Sequence, residues 1–90
     1  TAVAEYGRNA VALHAFPNPA NSETSLYVSS PKDELVSLFI ADITGKIILT
    51  KQINTNENNS LDLHNLQRGI YLISATVENG VRSTVKLLVE

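Results

Sequence analysis

The sequence predicts an all-β fold, an immunoglobulin-like sandwich of two antiparallel sheets with about seven strands. Three observations carry this expectation. Apolar residues recur with period two almost throughout, turn signals interrupt them about every ten residues, and no segment shows the i, i+3, i+4, i+7 stripe of an amphipathic helix. Strands that bury one face each need a second sheet to cover it, and a sandwich is the natural closure.

The first strand begins near Val11, where Val11, Leu13 and Ala15 alternate with Ala12, His14 and Phe16. Pro17 and Pro19 fix φ and remove two donors, so Pro17-Asn18-Pro19 ends this strand in a rigid corner. The second begins near Thr24, with Leu26 and Val28 opposite Tyr27 and Ser29, and Ser30-Pro31-Lys32-Asp33 breaks it. The third begins near Leu35: Val36, Leu38 and Ile40 face one way, and Leu35, Ser37, Phe39 and Ala41 the other. Asp42-Ile43-Thr44-Gly45 reads as a turn in which Gly45 takes positive φ and Asp42 caps through its side chain. A fourth strand, rich in the β-branched residues Ile47, Ile48, Thr50 and Ile53, begins near Lys46.

Asn54–Asn59 has no apolar residue and is expected to be a solvated loop. The fifth strand, near Ser60, carries Leu61 and Leu63. Leu66-Gln67-Arg68-Gly69 then turns into the sixth, where Ile70, Leu72, Ser74 and Thr76 oppose Tyr71, Ile73, Ala75 and Val77. Asn79-Gly80 joins it to a seventh strand starting near Val81, and Asn-Gly between alternating runs predicts a two-residue type I′ hairpin. Thr1–Asn9 has no pattern and reads as a linker or loose N-terminal segment, leaving residues 10–90 as the domain.

Composition excludes several classes of function. With 43% hydrophobic and 18% charged residues, the chain is neither a disordered acidic tail nor a membrane protein. Thr1–Gly7 lacks the basic start and long apolar stretch of a signal peptide. Net charge is −2, and the seven basic residues are scattered singly, so no nucleic-acid partner is expected. The absence of cysteine removes disulfides, thiolate metal sites and a cysteine nucleophile together, and suits an oxidising extracytoplasmic space.

Candidates for chemistry are few. Asp62 and His64 share one face of a short strand, which suits half a metal site or a base with its orienting carboxylate, but a solvent-facing polar pair is the simpler reading. Asn54–Asn59 holds only one carboxylate, Glu57, where a calcium loop would concentrate several. Asn58-Asn59-Ser60 matches a glycosylation sequon, relevant only in a host with that machinery. Neither a nucleophile elbow, a phosphate loop nor a zinc-protease helix appears. No cofactor, metal or catalytic residue is expected, and the chain is not read as an enzyme.

Three features in fixed order are more specific than the fold: Phe16-Pro17-Asn18-Pro19-Ala20; the strand–turn–strand Leu38–Ile48 with Asp42, Gly45 and Lys46 at its bend; and Leu61–Ile73 with Leu66, Gly69 and Tyr71, leading into Val85-Lys86-Leu87-Leu88-Val89-Glu90. Together they resemble the C-terminal sorting domain of type IX (Por) secretion cargo proteins of Bacteroidetes, over about Val11 to Glu90. Many family members end on a basic residue, whereas this chain ends on Glu90. The resemblance implies a sorting signal: cargo attached on the N-terminal side crosses the periplasm and passes an outer-membrane translocon that recognises this domain. A sortase-like cysteine protease then usually removes the domain, here in or before Thr1–Asn9, and fixes the cargo at the cell surface.

The residues of these motifs are the expected recognition elements, each with a structural role beside it. Gly69 is expected to let the chain turn into the strand bearing Tyr71, whose ring packs while its hydroxyl stays hydrogen-bonded. Val85–Glu90 is the expected docking strand: at a sheet edge, its unpaired backbone groups would add to a receptor strand, and the same edge would pair two copies into a homodimer. The alternative is a carbohydrate-binding or structural immunoglobulin-like module of a cell-surface protein, with only Tyr6, Phe16 and Tyr27 available as sugar platforms.

Overall fold

The computed structural model describes residues 11–78 and 80–90. The predicted linker, Thr1–Asn9, lies outside them. Seven strands follow in order: β1 (Ala12–Phe16), β2 (Glu23–Ser29), β3 (Leu35–Asp42), β4 (Ile47–Asn54), β5 (Asn58–Asp62), β6 (Gly69–Val77) and β7 (Arg82–Val89). They form two antiparallel sheets, β1-β2-β5 and β4-β3-β6-β7, so the predicted sandwich is the observed one. Strand starts fall within two residues of those expected, because apolar alternation and turn residues agree at each boundary.

The core is built from the inward face of each sheet. Leu13, Leu26, Val28 and Leu61 from the three-stranded sheet pack against Val36, Leu38, Ile40, Ile53, Ile73, Ala75, Val77, Leu87 and Val89 from the four-stranded one. Burial alternates strictly along β2, β3 and β6, as period two requires. β4 departs from this: of its eight residues only Ile53 is buried. It is the outer strand of its sheet, and the register slips between Ile40 and Ala41, placing Ile48 in a bulge.

Two expectations are corrected. The β6–β7 hairpin forms, but its loop is three residues long rather than two: Thr76 pairs with Arg82, and Val77 N–H donates to Val81 O at 3.0 Å. The expected type I′ turn falls partly on Asn79, outside the described residues. The observed register sets Tyr71 opposite Leu87 and Ile73 opposite Val85. A two-residue loop would slide β7 by one position and turn Lys86 into the core opposite Ile73, so burial selects the longer loop. Gly80, at φ 91°, supplies the left-handed residue this loop needs.

The other correction concerns Asn54–Asn59. β4 and β5 extend into it, leaving Thr55–Glu57 as the turn, and Thr55 is buried. The Thr55 hydroxyl accepts from Glu34 N–H and donates to Lys32 O, while Asn56 Oδ1 accepts from Ser30 N–H. Polarity alone misled here, because Thr55 and Asn56 find backbone partners on the β2–β3 connection.

Candidate functional site

The described molecule is elongated, 41 × 25 × 21 Å, and strand directions give it two distinct ends. β1 runs parallel to β7: Leu13 N–H donates to Ser83 Oγ, and Ala20 bridges Val89 in parallel. Asp42 pairs with Tyr71, Gly69 with Val89 and Glu23 with Asp62. The corner after β1, the β3–β4 turn, the β5–β6 connection and the end of β7 therefore meet at one pole. The three sequence features, spread from Phe16 to Glu90, converge there, while β1 enters from the opposite pole.

Asn18 is the contact that closes this pole. Its Nδ2 donates to Lys86 O at 2.7 Å, and its Oδ1 accepts from Leu88 N–H at 3.1 Å. Ala20 continues the pattern, its N–H donating to Leu88 O and its carbonyl accepting from Glu90 N–H, both at 2.8 Å. Pro17 and Pro19 carry no N–H, so the side-chain amide of Asn18 replaces the peptide group that a regular strand would offer. Beneath it, the buried Thr24 hydroxyl donates to Pro17 O.

β7 does lie at the edge of its sheet, as expected for a docking strand, but its edge is not open from the Lys86 carbonyl onward. Asn18 and Ala20 take Lys86 O, Leu88 N–H, Leu88 O and Glu90 N–H. Val85–Glu90 instead presents a face. Leu87 and Val89 are buried, Lys86 and Leu88 point outward, and Val85 is half-buried.

The β3–β4 turn follows its expected chemistry. Asp42 Oδ1 accepts from Thr44 Oγ1 at 2.6 Å, Thr44 N–H at 2.9 Å and Lys46 N–H at 3.1 Å, and Gly45 sits at φ 92°. The Thr44 hydroxyl, with the Lys46 and Thr44 amides and the Lys46 charge, holds the Asp42 carboxyl below its usual value of 3.8 against the opposing effect of desolvation. Tyr71 is buried and its hydroxyl donates to Gln67 O, as the alternation suggested. Gly69 opens β6 at φ 154°. Asp42, Leu66 and Tyr71 line a shared hollow of about 570 Å³ with Leu49, Asp62 and Gln67.

Asp62 and His64 form a local pair rather than a strand-face pair, since β5 ends at Asp62. Asp62 Oδ1 meets His64 Nδ1 at 2.6 Å and accepts from His64 N–H at 2.9 Å, with both side chains 71% exposed. Those bonds, the amide first, lower the Asp62 pKa. Among the described residues no three His, Cys, Asp or Glu side chains gather to hold a metal. Phe16 is 78% exposed, and the half-buried Tyr27 packs its ring against His14 at 6.5 Å. Sequence reasoning missed the partnership of Asn18 with β7; its one available signal was an amide held between two prolines.

Against known proteins, the family described as the secretion system C-terminal sorting domain matches residues 14–90. A comparison with curated proteins gives no significant match. Among solved structures, the chain is similar to dimeric latent PorU from Porphyromonas gingivalis, with TM-score 0.69 and 22% identity over 86% of this chain and 9% of that one. It is also similar to the CARDB domain of a Pyrococcus furiosus protein in complex with di-metal ions, with TM-score 0.54 and 17% identity over 89% of this chain and 85% of that one. At these identities the two structures speak for the fold, an immunoglobulin-like sandwich.

Two outcomes follow from the site. Asn18→Ala removes both side-chain bonds and is expected to lower unfolding stability by about 1 kcal/mol in urea titrations. Asn18→Asp should cost at least as much at neutral pH, because it sets a carboxylate against Lys86 O. The lowered Asp42 pKa makes its contribution complete above the unfolded value near 3.8 and lost as pH falls through the folded value. The melting-temperature gap between the unmodified domain and Asp42→Ala should therefore narrow steadily below about pH 4.

Proposed function

The chain belongs to the family of type IX secretion C-terminal sorting domains, and from that premise we propose that it directs an attached N-terminal cargo through the outer-membrane translocon as a folded signal. The observation that carries this reading is the extent of the family match, residues 14–90, which takes in nearly all of the sandwich. The signal is then the domain and not a short tail. A sandwich whose three sequence features meet at one pole, away from the entry of β1, can be read there while cargo occupies the other side.

In this reading the domain is the passenger's address and the protease's substrate, not a catalyst. Cargo and signal travel through the periplasm to the outer membrane, and cleavage by a sortase-like cysteine protease in or before Thr1–Asn9 leaves the cargo at the surface or releases it. Pro17, Asn18 and Pro19 act by holding Val85–Glu90 in place; Asp42, Gly45 and Lys46 fix the adjacent turn; Leu66, Gly69 and Tyr71 fix the connection beneath it.

The test fuses Thr1–Glu90 to a periplasmically targeted fluorescent protein in a host with this secretion system, beside a translocon-deficient strain. Surface fluorescence that disappears in the deficient strain is the expected result, and product size reports cleavage. Fluorescence trapped in the periplasm of both strains, with the domain folded by circular dichroism, would overturn the reading.

A further inference from the structure

The outward face of the four-stranded sheet is divided along its length. Near the far pole it is mostly polar, with Ser37, Thr50, Gln52, Ser74, Thr76 and Thr84 set around the half-buried Phe39, and an exposed Leu35 at its end. Toward the motif pole it turns apolar. Ile47, Ala41, Leu72 and Lys86 form one row across all four strands, because Ile47 pairs with Ala41, Ala41 with Leu72 and Leu72 with Lys86. Ile70 pairs with Leu88 in the next row. Ile47 is 57% exposed, Leu72 41%, Ile70 40% and Leu88 37%. Scattered surface leucines need no explanation, but a contiguous aliphatic patch on one half of a sheet, bordered by a mostly polar half, marks an interaction surface.

Charge on this face is one-sided. Its outward strand positions carry Arg82 and Lys86 and no carboxylate, Asp42 and Lys51 falling at positions of the opposite parity, although the chain as a whole is net acidic at −2. Lys86 stands directly beside Leu72, within the patch.

We infer that this half-face, centred on Leu72, Leu88 and Lys86, is the docking surface of the domain, and that its occupant is a protein surface with an apolar centre and carboxylates at the rim. The inference rests on the sorting reading and deepens it: the occupant belongs to the translocon, and it meets the face of β7 rather than its edge, whose groups from the Lys86 carbonyl onward are already bonded to Asn18 and Ala20. A second copy stacked on the same face would set Lys86 and Arg82 against like charges. An anionic membrane is disfavoured because two cations on the face of a net acidic domain supply little attraction.

The test uses the reporter fusion with Leu72→Lys, Lys86→Glu and, as a control on the polar half, Gln52→Lys, each purified and checked for folding. Leu72→Lys and Lys86→Glu are expected to lower surface fluorescence by about tenfold or more and Gln52→Lys by less than about twofold, tenfold being the loss of one strong contact. A photoreactive phenylalanine analogue replacing Leu72 should cross-link to a translocon subunit, while one replacing Gln52 should not. Failure of the unmodified fusion to reach the surface would count against the sorting reading itself. Normal export of folded Leu72→Lys and Lys86→Glu, with the unmodified fusion exported, would overturn this inference alone. So would flotation of the unmodified domain with phosphatidylglycerol vesicles lost in Leu72→Lys, or a dimer by light scattering that Lys86→Glu dissolves.

Discussion

Four hydrogen bonds between Asn18–Ala20 and Lys86–Glu90 decide how this sandwich closes. A last strand has one neighbour, here β6, and its other edge would otherwise leave polar groups to water or to another chain. A segment with prolines at positions 17 and 19 cannot supply a regular ladder. One side-chain amide, offering a donor and an acceptor, takes the place of a peptide group, and Ala20 completes the pattern. The two sheets are thereby joined along the β1–β7 side, while the opposite side keeps the free edge of β4 and the hollow lined by Leu49 and Asp62.

That closure has a consequence for recognition. With the edge of β7 engaged, what remains readable is its outward face, and that face is fixed by register. The three-residue loop closed by Val77 and Val81 keeps Leu87 in the core and Lys86 outside. The β3–β4 turn applies the same device, three residues ending on a glycine near φ 92°, and adds the Asp42 carboxylate as an internal cap. Backbone chemistry at two turns thus positions the side chains of that surface.

Most of the architecture was legible in the chain because it is local. Alternation located all seven strands, and Asp42, Gly45 and Tyr71 have the partners that their residue types called for. What was not legible is non-local or depends on a balance. The Asn18 side chain reaches residues 68 and 70 positions away, which no window along the sequence connects. The hairpin loop length followed from burial of Leu87 and Val85 across from Tyr71 and Ile73, not from the Asn-Gly pair itself. Thr55 lies in a wholly polar run and is nonetheless buried, since its partners come from Lys32 and Glu34. The apolar half-face needed the β3–β6 and β6–β7 registers before Ala41, Leu72 and Lys86 could be seen as neighbours.

Residue-resolved hydrogen exchange on the intact domain reads directly whether the corner after β1 holds the end of β7. Leu88 and Glu90 donate their amides to Asn18 and Ala20. The amides of Thr84 and Lys86 point the same way by strand alternation, with no such partner among the described residues. If the corner holds, exchange at Leu88 and Glu90 is slow, approaching that of the central strands β3 and β6, and exchange at Thr84 and Lys86 is fast. Exchange at Leu88 and Glu90 as fast as at Thr84 would contradict it, leaving β7 as an open edge.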